Sequence, residues 1–283
     1  MKISVIILNW NGKEVLEKAI KSILNQTYKN FEVIVVDNGS TDGSIEMIER
    51  YSNVKLIKLP YNYGIVEPRN IGMKNANGDL LFVIDNDVEV KEDAFENAVS
   101  KFNNKKLGIV SCSLIDKNGK TSVWMHKFPK EKYDKKSFLT TIYSGGAHVI
   151  RKSILSKTGY YPGYFFITAE EMDLSWRTID IGYEIRYFPD IVVYHRQRSK
   201  NDVSDNSKFL AMRNVYWVYW RLLPLESSIL RTAKKFVREL SIDKSVRPIL
   251  EAFSGIYTVL NNRKPIKRST VNLIKKLEAK IVT

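Results

Sequence analysis

The chain has 283 residues, 44% of them hydrophobic and 27% charged, which allows one large or two modest domains with a sizeable core. A single cysteine, Cys112, excludes an internal disulfide and fits a reducing compartment. Lys2 is followed by too short an apolar run for a signal peptide, and no stretch nears the roughly eighteen apolar residues that span a bilayer. The net charge of +14 is uneven: residues 205–283 hold 16 Lys and Arg against 6 Asp and Glu, and the first 204 residues hold 29 against 25.

Residues 3–8 read as a strand, after which Val15, Leu16, Ala19, Ile20, Ile23 and Leu24 recur at helical spacing. A second strand is expected over 31–36, the start of a helix over 44–50 and a third strand over 54–59. A helix follows over 68–75, ended by Asn77-Gly78. Leu80, Leu81, Phe82, Val83 and Ile84 then form an unbroken apolar run, as in a strand covered on both faces. This alternation implies right-handed crossovers and a mostly parallel sheet.

Beyond residue 90 the pattern is less regular. A helix over 93–102 leads to a strand over 107–114 that holds Cys112 as a buried structural thiol, then to a lysine-rich loop with Trp124 and Phe128. Gly145-Gly146 precedes a short strand through Ile150. An acidic helix runs from about Ala169 to Ile181, with Gly182 as its C-cap. Two short strands, 185–188 and 191–194, close this half, and from Ser207 the chain reads as helices only.

Parallel strands point their C-termini to one edge, where α/β proteins hold ligands. Asp85-Asn86-Asp87 emerges there, and two hard carboxylates suit Mg²⁺ or Mn²⁺ bridging to a substrate's phosphates. Asn9-Trp10-Asn11-Gly12 ends the first strand and the segment from Asp37 to Ser44 follows the second, so a base could stack on Trp10 while Asp37 accepts hydrogen bonds from base or ribose. Equally, Asp37, Asn38 and Asp42 form a turn and cap the next helix. No dinucleotide-type Gly-x-Gly-x-x-Gly spacing or Walker lysine motif is present.

The segments 4–11 and 35–44, Arg69-Asn70 with Gly72, Asn77-Gly78-Asp79 and Asp85-Asn86-Asp87, continuing from Tyr183 to His195, together resemble a family 2 glycosyltransferase of the GT-A fold, in a rhamnosyltransferase-like subgroup. The resemblance covers roughly the first 220 residues. It implies a Rossmann-like, mostly parallel sheet flanked by helices, with a C-terminal helical extension. Residues 1–204 would be the catalytic domain, with 1–90 binding nucleotide-sugar and 91–204 the acceptor, and 205–283 a basic helical region.

By the same resemblance Trp10 stacks on the base, Asp37 holds base or ribose, Asp85 reaches ribose or sugar, and Asp87 is a catalytic metal ligand on the diphosphate. Leu8, Arg69 and Asn86 complete the donor-binding set, and His195 completes the metal site. His126 and His148 are expected to be structural.

Among Glu170, Glu171 and Asp173, inverting transfer needs one general base. The resembled family usually has Asp where Glu171 stands, so Glu171 is the expected base, with Glu170 and Asp173 as alternatives. Asp173 and Arg177, at i and i+4, suit a structural pair. The implied partners are a UDP-, dTDP- or GDP-linked sugar donor and a glycan or lipid-linked acceptor. A sugar nucleotidyltransferase and a degenerate sugar-nucleotide or membrane-binding module are the rival readings.

Phe209, Met212, Tyr216, Tyr219 and Leu223 share one face of the first C-terminal helix, and Trp217 and Trp220 widen it. With the basic charge around them, they suit either an anionic membrane surface or packing on the catalytic domain, nucleic acid ranking third. The expected location is cytoplasmic, with peripheral attachment to the cytoplasmic face of a membrane as the variant.

Overall fold

The computed structural model describes residues 1–121, 136–195, 205–242 and 247–282. Trp124, His126 and Phe128 lie outside these residues, as does the expected division near residue 204.

Three βα repeats open the chain: β1 (Ile3–Asn9), α1 (Lys13–Leu24), β2 (Phe31–Asp37), α2 (Ser44–Ile48), β3 (Val54–Lys58) and α3 (Val66–Lys74), followed by β4 (Leu80–Asp85). After β4 the chain turns back at once into β5 (Val88–Val90), then runs through α4 (Ala94–Lys101), β6 (Leu107–Asp116), β7 (Phe138–Leu139) and β8 (Ala147–Arg151). A short helix α5 (Leu155–Thr158), the acidic helix α6 (Glu170–Asp180) and β9 (Glu184–His195) complete the sheet-bearing part.

Among the described residues nine strands join one sheet, in the order β3-β2-β1-β4-β8-β6-β9-β5, with β7 on β9. The first four in space are parallel, as the alternation predicts. The second half is mixed: β8 runs antiparallel to β4 and β6, β9 runs parallel to β6, and β5 and β7 are antiparallel to β9.

The two strands expected over 185–188 and 191–194 are one. Opposite β6 the register jumps from Cys112↔Phe188 to Ser113↔Val192, so the residues around Pro189, which has no N–H to donate, are looped out while the strand continues.

The apolar runs are explained by burial on both faces. Ile6, Ile34, Val36, Leu81 and Val83 face one cluster, and Val5, Ile7, Val33, Val35, Phe82 and Ile84 face another that includes Leu16, Ile20 and Phe95. Cys112 is buried, and burial raises its thiol pKa, as expected of a structural thiol.

The C-terminal part is helical: α7 (Asp205–Leu222), α8 (Leu225–Ile242), α9 (Arg247–Ser254), α10 (Ile256–Asn261) and α11 (Arg268–Val282). Tyr216, Trp217, Val218 and Leu222 are buried in the same cluster as Ile6 and Val83, together with Trp176 of α6. Trp217 also donates its indole N–H to Ala252 O at 2.9 Å. The aromatic face of α7 is thus used in packing and is not available to a bilayer.

Candidate active site

The register of the parallel strands assembles the site. Asn9 pairs with Asp37 and Leu8 with Asp85, which puts the ends of β1, β2 and β4 in one row. The turn into β5 holds Asp87 beside the end of β9, where Val88 pairs with His195. His195 Nε2 lies 3.4 Å from Asp87 Oδ1, and one ligand atom from each of Asp85, Asp87 and His195 falls within 4.8 Å of the others. Two hard carboxylates and an imidazole suit Mg²⁺ or Mn²⁺. Gly146 borders the same space: a Cβ there would stand in van der Waals contact with Asp85 Oδ2 at 3.5 Å and His195 Cδ2 at 3.8 Å. The residues fit a divalent cation, and they include Asp85, which sequence reasoning assigns to ribose or sugar.

On the β1–β2 side, the fully buried Asp37 accepts hydrogen bonds from Asn9 Nδ2 and the Ser40 N–H, both at 2.8 Å. Asn9 Oδ1 in turn accepts from Asn86 Nδ2 at 2.8 Å. Asn9, which pattern reading passed over as part of a motif, therefore couples the carboxylate of β2 to the loop after β4. Gly12 leaves room for this bond, since a Cβ would sit 2.1 Å from Asn86 Nδ2 and displace its amide. Trp10 is 54% exposed at the edge and Leu8 is half-buried. Tyr61 and Tyr63 stack at 4.1 Å between ring centroids, and Asn38 Nδ2 ties this stretch down through Asn62 Oδ1 and Gly64 O. No spacing in the sequence points to this tyrosine pair.

Arg69 joins the two sides. Its buried guanidinium donates from Nη2 to Asp85 Oδ1 at 2.6 Å and Gly145 O at 2.9 Å, and from Nη1 to Glu170 Oε1 at 2.8 Å, with Glu171 Oε1 3.8 Å away. A buried cation is tolerable only when multiply paired. Burial opposes the charge of Arg69, but Asp85, Glu170 and Glu171 outweigh it and raise its pKa. Arg69 thus touches a candidate metal ligand and the acid pair with the same group.

The three acids of α6 divide cleanly. Glu170 is buried against Arg69, and burial raises its pKa while Arg69 opposes the rise. Asp173 is held between Arg177 Nε at 2.7 Å and Arg221 Nη1 at 2.6 Å, a structural role as the i, i+4 spacing predicts. The Glu171 carboxyl is pushed up to about 8, first by burial, then by Glu170, against the pull of Arg69. Its longer arm fits because position 145 is glycine: a Cβ would lie 1.9 Å from Glu171 Oε1.

Ahead of α6, Phe166, Thr168 and Ala169 all have left-handed backbone (φ +64°, +63° and +67°), at about 1–2 kcal/mol each for non-glycine residues. His148 is structural: it is buried between Ser144 O and the Tyr161 hydroxyl, and burial together with Arg69 pushes its pKa down to about 3.

The row of strand ends at β1, β2 and β4, the acidic helix α6 that meets it across Arg69, and the mixed nine-stranded sheet beneath them have the architecture of a glycosyltransferase of the GT-A fold. Residues 4–159 match the model of glycosyl transferase family 2, and the chain belongs to that family. It is 35% identical over 203 residues to the uncharacterized glycosyltransferase YfnE of Bacillus subtilis, covering 69% of this chain and 50% of that one. It is 30% identical over 173 residues to a GalNAc(5)-diNAcBac-PP-undecaprenol beta-1,3-glucosyltransferase of Campylobacter jejuni, covering 58% and 56%. The chain thus spans about half the length of these curated relatives.

Among solved structures, S. aureus TarS 1-349 in complex with UDP-GlcNAc matches with a TM-score of 0.67 at 19% identity, over 99% of this chain and 86% of that one. The mannosyltransferase PcManGT from Pyrobaculum calidifontis, in complex with GDP-Man and Mn²⁺, matches with 0.62 at 18%, over 99% and 85%. These two likenesses concern the fold.

Proposed function

We propose that the chain transfers a sugar, with inversion at the anomeric carbon, from a nucleoside-diphosphate sugar to a hydroxyl of a glycan or lipid-linked acceptor, and does so with a divalent cation. The observation that carries this reading is the step Gly145-Gly146: one glycine makes room for the carboxyl of Glu171 and the next faces Asp85 and His195. Base and diphosphate end therefore border one space.

Asp37 and Trp10 hold the nucleoside, and Asp85, Asp87 and His195 hold Mg²⁺ or Mn²⁺. The bound cation would supply charge neutralisation on the leaving diphosphate. The acceptor oxygen attacks the anomeric carbon from the side opposite the diphosphate, and its proton passes to Glu171. The bond from the anomeric carbon to the diphosphate oxygen breaks, and its electron pair leaves with the nucleoside diphosphate. Arg69 keeps Asp85 and the acid pair in register throughout.

The test is a panel of UDP-, dTDP- and GDP-sugars with Mn²⁺, read by thermal stabilisation and by release of nucleoside diphosphate. Glu171→Gln should keep the stabilisation by the donor and lose transfer. Transfer at the wild-type rate in that variant would overturn the assignment of the base.

An anionic membrane surface is the partner we propose for the C-terminal region, on grounds other than α7. Helix α8 is turned inside out. Its polar Ser228 and Glu239 face inward, bonded to Leu223 O and the Tyr216 hydroxyl, while Leu225, Ile229, Leu230 and Val237 face outward. Phe253 and Tyr257 on α9 and α10 are 62% and 77% exposed. Exposed apolar side chains among Lys and Arg suit the headgroup level of an anionic bilayer. Among the described residues no helix is long and apolar enough to cross a membrane. Phe253→Ser with Tyr257→Ser should weaken binding to phosphatidylglycerol vesicles, and unchanged partitioning would reject the proposal.

A further inference from the structure

The left-handed segment before α6 has one short-range backbone tie of its own, the Ile167 N–H to Phe165 O at 2.7 Å. Three of the four residues 166–169 sit where a Cβ is disfavoured, and such backbone persists only when its surroundings enforce it. Two clamps are visible. On one side Phe166 O accepts the N–H groups of Ile65 at 2.6 Å and Val66 at 3.3 Å, at the start of the helix that carries Arg69. Gly64 permits this approach, since a Cβ there would lie 2.4 Å from Phe166 O.

On the other side stands Asn214 of α7, fully buried. Its amide nitrogen lies 3.0 Å from Phe165 O, 2.5 Å from Ile167 O and 3.0 Å from Thr168 O. Two N–H bonds thus serve three carbonyls of one segment. Arg213 orients the amide by donating from Nε and Nη2 to Asn214 Oδ1, both at 3.0 Å, while its guanidinium stacks 4.0 Å over the Trp217 ring.

We infer that Asn214 is a positioning residue for Glu171: by clamping the strained segment it fixes the first turn of α6 and hence how deeply the Glu171 carboxyl is buried beside Gly145. Helix α7 thereby belongs to the working site although it touches no reacting atom. The inference rests on the reading of Glu171 as the base. Without the amide donors, the carbonyls of Ile167 and Thr168 lose their Asn214 partner, while Phe165 O keeps the Ile167 N–H at 2.7 Å and Arg213 Nη2 at 3.3 Å. The segment relaxes toward right-handed or extended backbone, and Glu171 becomes hydrated.

The groups whose charge reaches Glu171 are Glu170, Arg69, Asp85, Tyr143 and Tyr161, none of which Asn214 replaces or contacts among the described hydrogen bonds. A change in Glu171 on altering Asn214 therefore reports position and hydration.

The experiment is a pH titration of the full chain labelled with ¹³C at glutamate carboxyls, with Glu171 assigned by its loss in Glu171→Gln. In the wild type its midpoint should lie far above the ordinary 4.5, near 8. In Asn214→Ser it should fall by at least about one pH unit while the protein still unfolds in one cooperative transition at pH 5. A folded Asn214→Ser protein with the wild-type titration would overturn the inference. A wild-type midpoint near 4.5 would instead remove the buried-base reading, so the two failures are distinct. Should Asn214→Ser not fold, Asn214→Gln carries the same test, because it keeps the amide and leaves the Arg213 Nη2 bond to Phe165 O in place while moving the amide donors by one methylene. A downward shift there supports the clamp, and an unchanged midpoint overturns it.

Discussion

Replacing Glu171 by Gln should stabilise the protein while abolishing transfer, and the stabilisation should depend on pH in a defined direction. The Glu171 side chain is 12% exposed, and its pKa moves from an ordinary 4.5 to about 8, chiefly through burial. Below pH 4.5 the carboxyl is protonated in both folded and unfolded chains and carries no penalty. As pH rises toward 8 the unfolded chain ionises and the folded one does not, so wild-type stability is lost through this window. At about 1.4 kcal/mol per pH unit the loss reaches about 3 kcal/mol at pH 7. Gln keeps the size and hydrogen-bonding shape of the side chain and removes the loss. For a chain of this size that corresponds to a rise of roughly 5–10 °C in thermal midpoint. Glu170 titrates with it as a pair, so the gain includes some relief at Glu170. The assay is thermal unfolding of both proteins from pH 4.5 to 8.5. A gain that is absent, or that is the same at pH 4.5 and pH 8, would refute the argument that Glu171 is a buried, protonated carboxyl.

Wild-type transfer should rise with pH, about tenfold per unit below the Glu171 midpoint near 8, because only the ionised carboxyl accepts a proton; a pH–rate profile flat from 6 to 8 would contradict this. Gly145→Ala should place a methyl group against Glu171 Oε1 and cost on the order of 100-fold in transfer, with stabilisation by donor retained, as measured side by side. Asp87→Ala should weaken Mn²⁺ binding by at least about tenfold in a calorimetric or relaxation titration, and wild-type affinity would exclude Asp87 as a ligand. Asp173→Ala leaves Arg177 and Arg221 without their shared carboxylate in the interior and should cost about 3–5 kcal/mol in denaturant unfolding; a loss below about 1 kcal/mol would mean the pair is dispensable.

The legible parts of this protein are those set by short-range rules. Apolar runs of five or six residues spaced by helical patterns determine the parallel half-sheet, because a strand buried on both faces can tolerate no polar alternation. The parallel direction then carries Asn9, Asp37 and Asp85 to one edge whatever the loops do. The i, i+4 spacing of Asp173 and Arg177 is likewise local, and their ion pair forms as the spacing predicts.

Long-range packing decided the rest. Arg69 belongs by sequence to a donor-binding motif, but its guanidinium bonds Asp85, Gly145 and Glu170, residues as many as 101 positions away. Whether α7 met a membrane or the body depended on partners no periodicity records, and Trp176, stacked on Tyr219, and Phe165, against Trp217, settled it. The chemistry of Glu171 was decided in the same way. Its identity and place on a helix are written in the chain, whereas its raised pKa comes from burial beside Gly145 and from the neighbouring charge of Glu170, and the left-handed approach to its helix is tied to Asn214, 43 residues further on. A pattern can specify which groups reach an edge, because strand direction is a local property. The dielectric, the neighbours and the enforced backbone that give those groups their function exist only once distant segments are packed together.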